Sequence, residues 1–419
     1  MNVALTILAT LVGVVLLRNL IPRSPGHVYE LRHQYGVRDP QFARDMGQLL
    51  GPPLVGGNRI TTLTNGDQIF PAMLDAIRSA TRSITLETYI YWSGTIGAAF
   101  VDALSERARS GVRVHIMLDW LGSNRMDATY LERLKAAGAE VVRYHPLRWY
   151  TMDRLNNRTH RKLLVVDGRV GFTGGVGIAD LWLGDAQDAE HWRDTHYRLE
   201  GPAASQFQAA FMDNWLQTRG EVLQGEGYFP ELLPVGELHA QVFKSSSREG
   251  SESVRLMYLM AFAAAEHSIR IANAYFVPDD QVIAELVQAR RRGVVVEFIV
   301  PGPVTDTQIV RAASRSRWEP LLQAGVRFWE FQPTMYHCKY LVIDDCWTSV
   351  GSTNLDSRSL RLNDEDNLNV MDRGFAAEQT AQFEADKARS HEVTLANWRR
   401  EPWPRRVAEY CAGLLRSQV

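Results

Sequence analysis

Beyond residue 57 the chain switches between two hydrophobic periods, and it goes through the same series of switches twice. Residues 70–80 carry apolar positions at helical spacing, and 83–91 is then rich in β-branched and aromatic residues, which predicts a strand. A helix is predicted over 98–109, stopping at Gly111, then a buried strand over 112–118 and a helix over 128–137, stopping at Gly138. Extended stretches follow at 140–146, 160–167 and 170–175. The order returns as a helix at 254–265, a strand at 268–277, a helix at 281–292 before Gly293 and a strand at 294–300. A helix at 317–324 before Gly325 and extended stretches at 326–333, 337–344 and 347–351 complete it. Helices alternating with short hydrophobic strands predict α/β units, each a mostly parallel or mixed sheet with flanking helices. Two copies imply a pseudo-twofold pair, with units at 58–219 and 239–419 and a Glu-, Gly- and Pro-rich linker at 220–238.

The N-terminus follows neither period. Residues 1–17 carry no side-chain charge, and 3–17 is nearly all apolar. That is short of the ~20 residues that span a bilayer. Arg18 can snorkel, however, and Leu20 and Ile21 extend the stretch to Pro22. A cleaved signal wants positive charge before the apolar run and a small-x-small cleavage site. Neither is present, so a transmembrane anchor at 1–21 is expected, with a peripheral helix and a cleaved signal as the competing readings. Arg18, Arg23 and Arg32 follow the stretch and no Lys or Arg precedes it, which places the body in the cytoplasm. Residues 22–57, rich in Pro, Gly and Arg, read as a juxtamembrane connector.

Composition narrows the function. Apolar residues at 45% and charged residues at 22% describe a globular body. A formal net charge of −2 argues against a protein that binds nucleic acid by charge. Three cysteines exclude a disulfide framework, and none forms a CxxC pair for zinc.

The chemistry lies in a duplicated pattern, His-x-Lys-x4-Asp: His160, Lys162 and Asp167, then His337, Lys339 and Asp344. Each is followed at the same distance by a turn of small residues, Gly174-Gly175 and Gly351-Ser352-Thr353-Asn354. One His on an apolar strand is ordinarily a core residue; two in register, each with Lys at i+2, are not. His and Lys at i and i+2 share a strand face. Each Asp sits at an odd offset near the strand end, suited to orienting or holding the turn. If the copies meet face to face, two ammoniums with Ser352 and Asn354 as donors form an anion clamp fit for a phosphoryl group. One neutral imidazole can attack phosphorus and the other can protonate the leaving alcohol, with no metal or cofactor required. A nucleophilic imidazole needs a carboxylate on its other nitrogen. Asp194 and Glu365 are the candidates, and the sequence leaves open which serves which His. His145, His191 and His196 belong to no motif, and Cys338, on the opposite strand face, reads as packing.

These residues resemble the phospholipase D superfamily, whose signature is the duplicated HKD motif. Flanking stretches such as Leu86-Glu-Thr-Tyr-Ile-Tyr91, Trp192-Arg-Asp-Thr-His196 and Val350-Gly-Ser-Thr-Asn354 are similar to bacterial cardiolipin synthases. The resemblance runs from about Asn58 to the C-terminus. It implies the phospholipase D-like fold, an inner-membrane location and transfer of a phosphatidyl group from one phosphatidylglycerol to another. The intermediate is a phosphatidyl-histidine. By analogy His160 is the nucleophile and His337 the acid and base, although the motif's symmetry allows the reverse. Two departures stand out. Gly177 occupies the place of the usual Asn after the first Gly-Gly pair, and only one N-terminal anchor is visible.

Three other readings compete with this one. A phospholipase D would use water as acceptor, which the residues do not separate from transfer. A phosphodiesterase nuclease would show a basic groove and needs no anchor. A non-catalytic membrane scaffold would not keep both motifs intact. Aromatic and basic residues mix at 147–152 and 398–406, which suits anionic headgroups, and 407–416 reads as a helix that either docks on the body or lies at an interface.

Overall fold

The computed structural model describes residue 10 and residues 28–147, 157–246 and 252–414. The expected membrane anchor over 1–21 therefore lies outside the described residues except for Thr10. No helix among the described residues is long and apolar enough to cross a membrane.

The strands are β1 (Val55–Thr64), β2 (Ser83–Thr88), β3 (Arg113–Asp119), β4 (Glu140–Tyr144), β5 (Leu163–Val166), β6 (Val170–Gly174) and β7 (Thr195–Glu200) in the first half. The second half repeats them as β8 (Leu238–Ser245), β9 (Ser268–Asn273), β10 (Val295–Pro301), β11 (Arg327–Phe331), β12 (Lys339–Ile343), β13 (Trp347–Gly351) and β14 (Glu365–Met371), and adds β15 (Ser390–Val393). All fifteen form one sheet in the order β15-β11-β10-β9-β12-β13-β14-β8-β1-β7-β6-β5-β2-β3-β4. Apart from the added edge strand, the order reads the same from either end. Its centre is the antiparallel β1–β8 pair, where Val55 meets Ala240 and Asn58 meets Leu238. Only β2–β3–β4 and β9–β10–β11 are parallel, so the sheet is mixed.

Helices cover both faces, which is why the inner strands are apolar without alternation. In chain order they are α1 (Pro40–Leu50), α2 (Asn65–Ser79), α3 (Thr95–Arg109), α4 (Ala128–Ala136), α5 (Ala204–Arg219), α6 (Glu252–Ala264) and α7 (Asp280–Arg291). The remainder are α8 (Gln308–Arg315), α9 (Glu319–Gln323), α10 (Ser357–Arg361), α11 (Arg373–Lys387), α12 (Leu395–Arg399) and α13 (Trp403–Gly413). Gly111 and Gly293 sit at the equivalent ends of α3 and α7 with φ of 89° and 94°. That left-handed turn lets the chain reverse directly into β3 and β10. Phe207, Phe211 and Trp215 of α5 and Phe375 and Phe383 of α11 bury into one apolar cluster that draws strand residues from both halves. The two units thus share a core.

The stretch expected to be a connector contributes to that body. Phe42 of α1 is fully buried and meets the Trp347 ring edge-on at 5.7 Å between centroids, and β1 begins at Val55. The helix expected over 317–324 is the short α9, entered through Pro320, with the separate α8 before it.

Asp167 and Asp344 build the fold. Each stands at φ near 50° (53° and 51°) in the tight turn joining β5 to β6 or β12 to β13, a conformation that Asp tolerates. The Asp167 carboxylate accepts from the backbone N–H groups of Thr81, Arg82 and Ser83, the last at 2.9 Å. Asp344 does the same for Glu266, His267 and Ser268, at 2.7–2.8 Å. Each therefore ties the hairpin to the start of the neighbouring strand, β2 or β9. Burial works against the Asp167 charge, but these bonds outweigh it and hold its pKa below the usual carboxylate value. Its stabilisation is present above the unfolded pKa and is lost as pH falls through the folded one. Asp167→Asn is expected to lower stability by about 1–2 kcal/mol while leaving kcat within twofold. Denaturant midpoints and initial rates, measured side by side, check both.

Candidate active site

The turns and the histidines lie at opposite ends of the same strands. At the other end from Asp167 and Asp344, the segments leading into β5 and β12 cross the junction between the halves. His160 N–H donates to the Asp364 carbonyl at 2.8 Å, and His337 N–H donates to the Arg193 carbonyl at 2.8 Å. Each histidine is thereby stitched to the residue just before a carboxylate of the other half.

The carboxylates are shared in the same crossed sense. His160 Nδ1 lies 2.9 and 3.0 Å from the two Glu365 oxygens, and His337 Nδ1 lies 2.7 Å from Asp194 Oδ2. Glu365 also accepts from Ser352 Oγ at 2.5 Å, and Asp194 accepts from Trp182 Nε1 at 3.0 Å and from Thr195 N–H at 2.8 Å. The shorter acid is matched by a smaller neighbour: a Cβ on Gly175, which aligns with Ser352, would come within 2.2 Å of Asp194 Oδ1. The carboxylates are sealed, with side-chain exposures of 1% and 0%, whereas the His160 and His337 rings retain 11% and 7%. Solvent or substrate therefore meets the imidazoles and not their carboxylate partners.

Lys162 Nζ donates to the His160 carbonyl at 2.6 Å, and Lys339 Nζ donates to the His337 carbonyl at 2.5 Å. Lys339 Nζ is also 3.3 Å from His337 Nε2. Tyr89, the first residue after β2, and Tyr275, the second after β9, stand edge-on to His160 and His337 with centroids 5.5 and 6.2 Å apart. Trp182 and Trp192 pack on His337 at 5.4 and 5.3 Å.

The electrostatics follow from burying two ammoniums among two carboxylates. Burial is the largest influence on His160, and Lys162 and Lys339 push the same way against Glu365. Its pKa falls to about 4. Burial and then Lys339 lower His337 as well. Burial pulls Lys162 down to about 7, with Lys339 adding to it, and lowers Lys339. Burial alone would raise Glu365 and Asp194, but the adjoining imidazoles, lysines and hydrogen-bond donors outweigh it and keep both low. The resting pair is thus ionised carboxylate with neutral imidazole. Nδ1–H points to the carboxylate and Nε2 carries the lone pair, which at His337 faces Lys339 Nζ at 3.3 Å.

Of the expected site residues, the fold brings together His160, Lys162, His337, Lys339, Asp194, Glu365 and Ser352. It does not bring Asp167 and Asp344, the third members of the two motifs, there, because both carboxylates are taken up as strand-end ties. Asn354 is buried next to Ser352 and Thr353, and its side-chain oxygen has no hydrogen-bond partner. Cys338 is buried in the core cluster as expected, its thiol pushed up to about 12 by burial. Tyr89, Tyr275 and Trp182 were not singled out in the sequence. The repeat gives no signal for the tyrosines, because Tyr89 aligns with Ala274 and Tyr275 with Ile90.

Arg161 and Arg193 were also missed, and they hold the halves in register. Arg161 donates to the carbonyls of Ala210 and Ser245 at 2.7 and 2.8 Å and to Asp213 at 3.1 Å. Arg193 forms a two-pronged pair with Asp386, both arms at 2.9 Å. Such a planar fork is the geometry in which Arg is strongest.

A family described as "Cardiolipin synthase, PLD-like domain" matches residues 73–212 and 258–387, one stretch in each half. Cardiolipin synthase 2 of Bacillus anthracis is 33% identical over 357 residues, 84% of this chain and 69% of that protein. Cardiolipin synthase A of Pseudomonas fluorescens is 34% identical over 84% of this chain and 73% of its own length. Among solved structures, the phosphatidylserine synthase of Haemophilus influenzae superposes with a TM-score of 0.68 at 15% identity, over 90% of this chain and all of that one. That likeness bears on the fold.

Proposed function

Because the chain belongs to the cardiolipin synthase family of phospholipase D-like proteins, we infer that it is a phosphatidyltransferase that makes cardiolipin. The carrying observation is the pair of imidazoles, each backed by a buried carboxylate of the other half, with a buried lysine on the backbone carbonyl of each histidine. His160 Nε2 attacks the phosphorus of one phosphatidylglycerol. The bond from phosphorus to the headgroup glycerol oxygen breaks, and His337, which takes up a proton at Nε2 from solvent as the phosphodiester anion binds, gives that proton to the oxygen. The phosphatidyl group is left on His160. The primary hydroxyl of a second phosphatidylglycerol then gives its proton to His337 and attacks phosphorus, releasing His160 and cardiolipin. Lys162 and Lys339, with Ser352 and Asn354 nearby, offset charge on the non-bridging oxygens. The incoming phosphodiester anion in turn supplies the counter-charge that lets His337 hold a proton while two ammoniums stand beside it.

The supporting experiment uses phosphatidylglycerol as the sole lipid. Cardiolipin and free glycerol in equal amounts are expected; phosphatidic acid as the main product would mean that water is the acceptor, the phospholipase D reading. Added chelator is expected to leave the rate unchanged, and a loss restored by a divalent metal would sink the metal-free scheme. A location at the inner membrane with the body in the cytoplasm is part of the same reading, supported by the lipid substrate and by the arginines after the N-terminal apolar stretch.

The pH dependence follows from the free enzyme. kcat/KM is expected to fall on the acid side as pH approaches about 4, where His160 takes up a proton. On the alkaline side it should fall first above the lowered pKa of His337, whose proton the leaving glycerol needs, and again as pH rises through about 7, where Lys162 loses its charge. Rates on a water-soluble short-chain phosphatidylglycerol across pH 4–9 check both limbs. An activity that climbs steadily above pH 7 would contradict the role given to Lys162.

A further inference from the structure

Helix α13 is seated with its polar side inward. Its buried residues are Glu409 and Ala412. Glu409 Oε1 accepts from Arg315 Nε at 2.8 Å, and Arg315 is itself buried on α8, holding Glu330 at 2.9 Å and Glu401 at 3.0 Å. The apolar side faces out: Trp403, Val407, Tyr410 and Leu414 are 76%, 51%, 68% and 68% exposed. Their spacing of i, i+4, i+7 and i+11 puts them in a single stripe about 60° wide. Arg406 borders that stripe, and its guanidinium lies over the Trp398 ring, 5.1 Å from the centroid. A helix docked for stability buries its apolar stripe; this one is fastened by the Arg315–Glu409 pair and by Ala412 against Val277 and Ala313, and offers the stripe to its surroundings.

Its place in the fold selects the partner. α8, on which α13 rests, follows the loop carrying Asp306, and Asp306 accepts the hydroxyl of Tyr275, the ring that stands against His337. The chain coming from the N-terminal apolar stretch arrives at the same end of the strands. There Tyr29 exchanges hydrogen bonds with Gln281 in the first turn of α7, at 2.6 and 3.1 Å. We propose that α13 is an interfacial helix that seats the mouth of the site on a bilayer carrying anionic phospholipid. The aromatic and aliphatic stripe enters the boundary of the acyl chains, and the exposed Arg400 with Arg406 lies among the headgroups. Trp and Tyr beside Arg is the composition of such a boundary. The proposal rests on the lipid-transfer reading above, because only a substrate held in a bilayer gives the stripe this use.

The test uses the full chain, in parent form and as the fourfold variant W403S/V407S/Y410S/L414S. Substrates are vesicles of phosphatidylglycerol and phosphatidylcholine in equal parts, and dihexanoyl phosphatidylglycerol below its micelle concentration. The variant is expected to lose tenfold or more of its transfer rate on vesicles and to stay within twofold of the parent on the soluble lipid. Vesicle rates within twofold of each other would overturn the proposal. A second readout does not depend on the variant's folding. Cys411 is the exposed cysteine, beside the stripe, while Cys338 and Cys346 are buried. A fluorophore on Cys411 of the parent should be quenched by a phospholipid bearing a nitroxide on its acyl chain, and absence of quenching would also overturn the proposal. A parent that is dimeric by light scattering and becomes monomeric in the variant would make the stripe a contact between copies instead. Absence of dihexanoyl product from the parent would count against lipid transfer itself, leaving the quenching to judge the helix.

Discussion

His160→Ala is expected to lower the transfer rate by at least ~10⁴-fold, with the thermal midpoint little changed, because it removes the atom that forms the covalent bond. The ring is small and partly open, with 11% of its surface exposed, so its loss leaves no deep cavity. His337→Ala should be equally silent on phosphatidylglycerol, but for a different reason. Its expected task is to protonate a leaving glycerol oxygen, a poor leaving group. A phosphatidyl ester of p-nitrophenol needs no such help, since nitrophenolate departs unprotonated. His337→Ala is therefore expected to release one equivalent of nitrophenol in a burst and then stall, with the phosphatidyl group held on His160. His160→Ala should give no burst at all. Quenching in alkali, where phosphohistidine survives, and counting label per chain reads the difference. A burst from His160→Ala and none from His337→Ala would exchange the two roles, the outcome that the motif's symmetry leaves open.

The repeat was legible because it is written twice. Each predicted helix and strand from 98 to 175 has its observed counterpart, and the glycine stops at Gly111 and Gly293 fall where the chain turns with positive φ. Periodicity could not show which strands meet at the centre. β1 lies partly within a Gly- and Pro-rich stretch that reads as a connector, and β8 follows a linker, yet these two strands join the halves. That pairing is set by the shared core beneath α5 and α11, a long-range term that no local window contains. The site was legible in its residues and not in its wiring. His160, Lys162, His337 and Lys339 declare themselves by the i, i+2 spacing in two copies. The assignment of Glu365 to His160 and Asp194 to His337 depends on the halves crossing, as the backbone bonds from His160 to Asp364 and from His337 to Arg193 do. Asp167 and Asp344 carry the motif's third letter, but a strand of four or five residues separates them from the histidines. Their chemistry is that of a turn and three backbone donors.

That crossing has the second largest consequence. Glu365→Gln is expected to lower kcat by roughly 10²–10⁴-fold, the range seen when a buried acid behind a catalytic imidazole is made neutral. KM should change little. The shape is kept, but the amide holds the imidazole no more firmly in the Nδ1–H tautomer than in the other, and the free Nε2 lone pair is no longer assured. The same change also removes the negative charge that faces Lys162, so the alkaline limb of kcat/KM should move to lower pH: Glu365 raises the Lys162 pKa, and without it the lysine gives up its proton sooner. Asp194→Asn should act in the same way on His337. The pairing is then read from double variants. Added to His337→Ala, Asp194→Asn should cost the nitrophenol burst almost nothing more, because the imidazole it orients is gone, whereas Glu365→Gln should still slow it. His160→Ala, which gives no burst, serves only as the blank. If each histidine drew on the carboxylate of its own half, the silent combination would be the opposite one, and the crossed site would be wrong even though each single variant had failed as expected.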